Sequence, residues 1–184
     1  LTVVSKLINK IDHQCKYIDL GGGMGISYDL KSKKLNYRKY NIAIQNFLKK
    51  HKSKIIFEPG RSIIGNTGIL ISKVIYIKDS ERKNFIILDA AMNDLMRPAL
   101  YGASHKILPS IKKNKKSNKI YEFVGPICES TDKFKTLKKF QKLQEKDVIV
   151  ICDVGAYGMS LSSNYNLRTK PLELLIKGSK IKII

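Results

Sequence analysis

Lys54-Ile55-Ile56-Phe57-Glu58-Pro59-Gly60-Arg61 is a short apolar run, rich in β-branched residues, that stops at an acid, a proline, a glycine and an arginine. The pattern predicts a buried strand whose carboxyl end opens into a turn. Glu58 and Arg61 then share one strand end, the edge that carries chemistry in parallel α/β proteins. Pro59 fixes its own φ, and Gly60 lets a ligand approach the backbone. Ser62-Ile63-Ile64 can start a helix, whose free N–H groups would suit a phosphate. The plainer reading of Glu58 and Arg61 is a surface ion pair, which is common and weak.

Upstream, Tyr17-Ile18-Asp19-Leu20 predicts a second strand, which runs straight into Gly21-Gly22-Gly23-Met24-Gly25. Consecutive glycines remove side-chain bulk where a backbone must approach something closely. A dinucleotide fingerprint starting at Gly21 would need glycine at 26, where Ile26 stands. That leaves a phosphate-cradling loop or a plain flexible turn. A polar loop is expected from Ser27 to Asn36. After it comes an amphipathic helix with Tyr40, Ile44, Phe47 and Leu48 on one face. Val3, Val4, Leu7, Ile8 and Ile11 give residues 2–11 helical spacing. From Tyr17 the order is strand, loop, helix, strand, loop, helix: a βαβα unit whose two strand ends carry the glycine loop and the Glu-Pro-Gly-Arg turn.

From Gly68 the texture changes. Ile69–Ile77 and Phe85–Asp89 read as a hairpin joined by the turn Asp79–Asn84. Further strands are expected at Ile120–Val124, Val148–Cys152, Leu172–Ile176 and Ile181–Ile184. A helix is expected near Asn93–Leu100, with Arg97 held extended by the proline that follows it. Many short strands joined by turns indicate a β-domain. The domains are therefore expected as 1–68 and 69–184. A βαβα unit cannot close a parallel barrel, and a (β/α)8 barrel takes about 250 residues. The chain is thus expected to begin in mid-domain.

Composition narrows the function classes. Of 184 residues, 43% are hydrophobic and 27% charged, which are globular values. The formal net charge is +20. It is carried almost wholly by lysines spread along the chain, since the only arginines are Arg38, Arg61, Arg82, Arg97 and Arg168. The densest cluster, 112–119, has no aromatic interleaving and reads as a solvated loop; a polyanion site is the alternative. No nucleic-acid partner is expected. No apolar run of about 18 residues suggests a membrane span, and no secretory leader is visible. Cys15, Cys128 and Cys152 are an odd set without close pairs, which argues for a reducing, cytoplasmic setting. His13, His51 and His105 lack metal-ligand spacing, so no metal is expected.

Three more stretches carry reactive side chains. Arg97-Pro98-Ala99-Leu100-Tyr101 offers a guanidinium fork to a carboxylate, or merely caps structure. Cys128-Glu129-Ser130-Thr131-Asp132 sets a thiol beside a carboxylate in a turn. Such a thiol is ordinarily a buried structural one, but it can serve as an acid. Gly155-Ala156-Tyr157-Gly158 follows a strand, so Tyr157 is either core or part of a ligand-contacting loop.

Taken in order, Asp19–Ile26, Glu58–Arg61, Arg97–Tyr101, Cys128–Asp132, Gly155–Tyr157, Asn164–Asn166 and Pro171–Glu173 resemble the diaminopimelate decarboxylases. These belong to the fold-type III pyridoxal-phosphate (PLP) decarboxylases. The resemblance covers nearly the whole chain and rests on the ordered set. It implies the last two βα units of an alanine-racemase-like TIM barrel, followed by a C-terminal β-barrel or sandwich domain. It implies PLP as cofactor and decarboxylation of meso-2,6-diaminopimelate to L-lysine. Gly22, Gly23 and Gly60 would hold the cofactor phosphate, with Arg61 beside them. Glu58 would face the pyridine nitrogen, and Tyr157 would lie against the cofactor. Arg61, Arg97, Tyr101, Glu129 and Tyr157 would bind the substrate. Cys128 would donate a proton and, with Glu129, enter the site across a homodimer interface. The family's cofactor-binding lysine and ring-stacking histidine would precede this chain, so the 184 residues alone are expected to be inactive.

The chemistry suits these residue types. Diaminopimelate carries a carboxylate and an ammonium at its remote end; Arg97 and Arg61 suit the first and Glu129 the second. Ornithine decarboxylases resemble this chain at the glycine loop and the Glu-Pro-Gly-Arg turn, but lack the arginine of the Arg-Pro motif and carry Asp after the cysteine. Arg97 and Glu129 therefore favour diaminopimelate. The alternatives are another fold-type III decarboxylase, for ornithine, arginine or carboxynorspermidine, or a non-catalytic homologue. One departure from the family pattern is Ala91, where glycine is more usual, with little effect expected.

Overall fold

The structure, a computed structural model, describes residues 1–11, 13–28, 35–81 and 83–184. Residues 29–34 of the expected polar loop and Arg82 of the expected turn lie outside the described residues. The chain forms two compact units, residues 1–27 with 31–63, and residues 28–30 with 64–184.

The first unit holds α1 (Thr2–Ile8), β1 (Tyr17–Asp19), α2 (Tyr37–Lys50), β2 (Lys54–Ile56) and, at its end, α3 (Gly60–Ile64). The α2 helix starts where Asn36 accepts a hydrogen bond from the Lys39 N–H at 3.0 Å. Its expected apolar face is the one it buries: Ile44 and Phe47 are inside, with Tyr40 and Leu48 half-buried. Strands β1 and β2 are parallel, with Tyr17 opposite Lys54 and Asp19 opposite Ile56. The expected burial of β2 is not found. Ile56 is 44% exposed and Phe57 36% exposed. Parallel strands are normally covered on both faces, and among the described residues β2 pairs only with β1. The α1 helix has the expected spacing but buries none of its residues.

The second unit is built on one six-stranded sheet. Its strands are β3 (Ile69–Lys78), β4 (Asn84–Leu88), β5 (Ile107–Pro109), β6 (Ile120–Val124), β7 (Lys133–Lys138) and β8 (Val148–Cys152), in the order β5-β8-β3-β4-β6-β7. The first half of β3 pairs antiparallel with β8 and its second half antiparallel with β4, with a register shift between Val74 and Tyr76. This handover curls the sheet into a half-barrel. The expected barrel or sandwich is thus a single open sheet, with β5 and β7 as its edges. One face of the sheet carries the core. Phe123, Leu88, Ile149 and Ile151 are fully buried, with Val74, Ile86 and Leu95 beside them. Alternate positions do the burying: 149 and 151 on β8, 86 and 88 on β4.

Strands β4 and β6 are parallel, so a crossover must separate them. That crossover contains α4 (Arg97–Tyr101) and β5. Here an expectation fails: Arg97 is not extended but is the first residue of a helix. The residue before a proline pays a steric cost in helical geometry. Against that, Pro98 falls in the first turn, where its missing N–H costs nothing. Gly102, at φ 61°, closes the other end, with its N–H on the Pro98 carbonyl at 3.0 Å. The C-terminal strands form a separate hairpin, β9 (Leu174–Lys177) and β10 (Lys180–Ile183), turning at Gly178 with φ 61°.

Candidate active site

The first unit brings the two leading motifs together. Because β1 and β2 run parallel, the glycine loop and the Glu-Pro-Gly-Arg turn leave the same edge. Hydrogen bonds stitch them: Leu20 N–H to Ile56 carbonyl at 3.1 Å, and Glu58 N–H to Gly21 carbonyl at 2.9 Å. Gly22 has no alternative, since a Cβ there would run into the Glu58 carbonyl oxygen. Gly23 sits at φ 77°, which only glycine adopts freely. The Gly21 N–H is taken by Asp19 Oδ1 at 2.7 Å. Among the described residues, the N–H groups of Gly22, Gly23, Met24 and Gly25 make no hydrogen bond. Among the described residues, nothing stands where a Cβ on Gly23, Gly25 or Gly60 would lie. Successive unbonded N–H groups on a loop free of side-chain bulk fit a phosphate ester. Glu58 is exposed and Arg61 half-buried; no ion pair joins them among the described residues.

In the second unit the central side chain is Arg97, only 6% exposed. Its guanidinium lies 4.6 Å from the Tyr28 ring centroid and 5.9 Å from that of Tyr157. One guanidinium nitrogen, Nη1, donates to His105 Nε2 at 3.3 Å. His105 is itself buried and gives its Nδ1–H to the Cys152 carbonyl at 2.9 Å. That bond sets the tautomer and leaves Nε2 as the acceptor Arg97 needs. Burial pushes the His105 pKa down, with the Arg97 and Lys135 charges acting the same way against Asp153. The imidazole therefore stays neutral. No carboxylate pairs with Arg97 among the described residues. The Tyr28 hydroxyl is buried without a hydrogen-bond partner among them.

His105 makes a pH signature. Its folded pKa lies below the ordinary 6.5, so below that pH the unfolded chain takes up a proton that the folded chain refuses. Stability is full above the unfolded pKa and falls as pH drops from there toward the folded value. The expected result is a wild-type denaturant midpoint that declines from pH 7.5 to 5.5 more steeply than that of His105→Asn. Parallel curves would remove the histidine from the balance. Asp94 and Asp132, both raised by burial, contribute equally to the two curves.

Tyr157 is half exposed and adopts φ 60°, a left-handed conformation costly for an aromatic residue. Its segment is forced tight, because a Cβ on Gly155 would strike the Ile64 carbonyl. Tyr101 lies four residues after Arg97 on α4 and is 67% exposed. Cys128 and Glu129 are both exposed on one loop, so Cys128 is not a core thiol. That loop is pinned by buried Asp132. One oxygen accepts from Ile127 N–H and the other from Met92 N–H, both at 2.8 Å. Gly125 is glycine because the Asp132 carboxylate occupies the space of a Cβ. Glu129 Oε1 accepts from the Tyr165 hydroxyl at 2.6 Å.

Sequence reasoning missed four residues here. His105 and Tyr28 set the direction of Arg97, Asp132 shapes the Cys128 loop, and Tyr165 holds Glu129. Asp132 and Tyr165 stood inside quoted motifs, but nothing in their spacing told what they touch. His105 had no sequence signal.

Residues 2–155 match the family described as pyridoxal-dependent decarboxylase, C-terminal sheet domain. The chain belongs to this family. It is 41% identical over 169 residues to the diaminopimelate decarboxylase of Aquifex aeolicus, covering 92% of this chain and 40% of that protein. With the Helicobacter pylori enzyme of the same name it shares 38% over 181 residues, covering 98% and 44%. The chain thus spans about two fifths of the length of these relatives. The crystal structure of an Aquifex aeolicus protein superposes with a TM-score of 0.87 at 39% identity, over 99% of this chain and 45% of that one. The Helicobacter pylori diaminopimelate decarboxylase complexed with L-lysine gives 0.84 at 39%, over 98% and 44%. The half-barrel sheet is the family's C-terminal sheet domain.

Proposed function

We propose that this chain is the C-terminal part of a PLP-dependent decarboxylase that converts meso-2,6-diaminopimelate to L-lysine and CO2. The observation that carries the reading is Arg97. A buried guanidinium with no carboxylate partner among the described residues calls for an anion from outside. The substrate's remote carboxylate meets that need, and ornithine has none. The similarity to diaminopimelate decarboxylases supports the same substrate. The exposed β2 and the uncovered α1 support a second element of the proposal. Residues 1–68 are the last two βα units of a TIM barrel, and residues 69–184 are the β-domain.

When bound, PLP supplies an electron sink for the pair left by departing CO2. The chain's own residues do the rest. Gly22 and Gly23 offer N–H groups, Gly60 a bare backbone beside them and Arg61 its charge to the cofactor phosphate. Glu58 holds a proton on the pyridine nitrogen. Tyr157 packs against the cofactor and excludes water. Arg97, Arg61 and Tyr101 grip the remote carboxylate, and Glu129 takes the remote ammonium. Gripping the far end orients the bond that breaks. Cys128 gives a proton to the carbon that has lost CO2. The exposed Cys128–Glu129 loop supports its entry into the site of a second copy in a homodimer. Three free cysteines support a reducing, cytoplasmic setting.

The test is a substrate panel on the full-length protein with PLP. Diaminopimelate should be decarboxylated in preference to ornithine, arginine and carboxynorspermidine. A preference for any of the others would replace the assignment with that of its rival. Turnover of none, with no PLP absorbance, would favour a non-catalytic homologue. Residues 1–184 alone are expected to be inactive, because the Schiff-base lysine is proposed to precede them.

A further inference from the structure

Glu129 stands on an exposed loop, yet both its main chain and its side chain are held. The loop fixes the backbone: its N–H bonds the Ile127 carbonyl at 2.8 Å, and its carbonyl accepts from the Asp132 N–H at 3.1 Å. Tyr165 fixes the side chain through its 2.6 Å bond to Oε1. A surface glutamate has several rotatable bonds and ordinarily samples many rotamers. A phenol on a stiff two-torsion side chain removes that freedom where its own backbone is anchored.

Here it is anchored. Fully buried Asn93 accepts from the Ser163 N–H at 2.9 Å and donates to the Ser163 carbonyl at 3.2 Å. Arg168 Nε donates to Asn93 Oδ1 at 3.1 Å, and Arg168 Nη2 lies 3.7 Å from Asp94 Oδ2. Tyr165 lies between these two anchors, Ser163 and Arg168. The turn between them contains Asn166 and Leu167, both at φ 55°, and Leu167 is 94% exposed. A turn with two left-handed residues and a large apolar side chain in solvent is poor local structure. From this turn the Tyr165 hydroxyl reaches Glu129 Oε1. Among the described residues Glu129 Oε2 makes no bond.

We propose that Tyr165 is a positioning residue for the decarboxylation, holding Glu129 Oε1 so that Oε2 faces the substrate's remote ammonium. This rests on the reading of Glu129 given under Proposed function. The rival is a surface hydrogen bond without a role.

The test uses the full-length protein with PLP and two substrates, meso-diaminopimelate and 2-aminopimelate, which lacks only the remote ammonium. Tyr165→Phe is expected to lower kcat/KM for diaminopimelate about tenfold, the scale of one hydrogen bond to a charged group, chiefly through KM. For 2-aminopimelate the change should stay within about twofold, read as turnover or as an inhibition constant. An equal loss on both substrates would mark a structural role and overturn the proposal, as would no loss on either. Glu129→Gln is the control for the underlying reading. Should it leave the preference for diaminopimelate intact, Glu129 is not the ammonium contact. Should it abolish the preference while Tyr165→Phe does not, only the role of Tyr165 falls. An activity-free readout is the ionisation of Tyr165, followed by NMR of ring-labelled tyrosine. The Glu129 carboxylate raises its pKa above the ordinary 10.0, so Glu129→Gln should bring it down. An unchanged titration would show that the contact does not hold in solution and would overturn the proposal independently.

Discussion

Replacing Arg97 with alanine in the full-length protein is expected to lower kcat/KM for diaminopimelate by about two to four orders of magnitude. Truncating one partner of a buried, hydrogen-bonded charge pair costs about 3–5 kcal/mol, and each 1.36 kcal/mol is tenfold. Arg97 is buried, directed by His105 and flanked by two aromatic rings, so little of its geometry depends on the substrate. Such preorganisation converts into binding without an ordering cost. Arg97→Lys should recover little, because an ammonium offers neither the planar fork nor the stacking on Tyr28. The loss should fall on substrates with a remote carboxylate and spare those without one. A melting curve is needed alongside, since the alanine variant also leaves His105 Nε2 without its donor. Undiminished activity on diaminopimelate in a folded variant would sink the assigned role.

Cys128→Ala should cut kcat by about 10²–10⁴-fold, the range for a positioned general acid, with KM little changed. The thiol is exposed, and no hydrogen bond within the chain depends on it among the described residues. The melting temperature should therefore hold, and a kinetic loss could not be blamed on folding. Near-normal turnover would remove Cys128 as proton donor. A mixed dimer gives a sharper check on the homodimer. Cys128→Ala protein combined with protein inactivated at the Schiff-base lysine should regain part of the activity if the loop crosses between subunits. No recovery would confine the thiol to its own subunit.

Local patterns were legible where one short-range rule decides the outcome. The α2 face was readable because helical spacing alone selects Ile44 and Phe47. Strands β6 and β8 occur at the boundaries expected, Ile120–Val124 and Val148–Cys152, because apolar alternation needs only a sheet to lie against. Strand β7, Lys-Phe-Lys-Thr-Leu-Lys, escaped notice. It is an edge strand half made of lysines, as edges that avoid mispairing are, and its alternation reads as a charged loop. Arg97 failed for a different reason. The rule for the residue before a proline is a modest steric preference, and the helix from Arg97 to Tyr101 overrides it. For β2 the apolar, β-branched run predicts a buried strand, and that burial is not found because burial depends on neighbours. Among the described residues β2 has only β1.

Glu58-Pro59-Gly60-Arg61 and the glycine loop could be paired from the chain alone, because two successive parallel strands must end at one edge. Only the folded structure showed that Gly22 is obligatory there: its missing Cβ is where the Glu58 carbonyl sits. Sequence by itself determined the ordered motifs, the strand–helix rhythm and the family. Those depend on residue types and on separations of a few positions along the chain. Tertiary structure decided which side chains are aimed and which are merely present. Arg97 is directed by His105, eight residues on, whose tautomer is set by a carbonyl 47 residues further. Glu129 is held by a tyrosine 36 residues away. Hydrogen bonds act over about 3 Å of space whatever the contour length between the partners, so no reading along the chain could have ranked them.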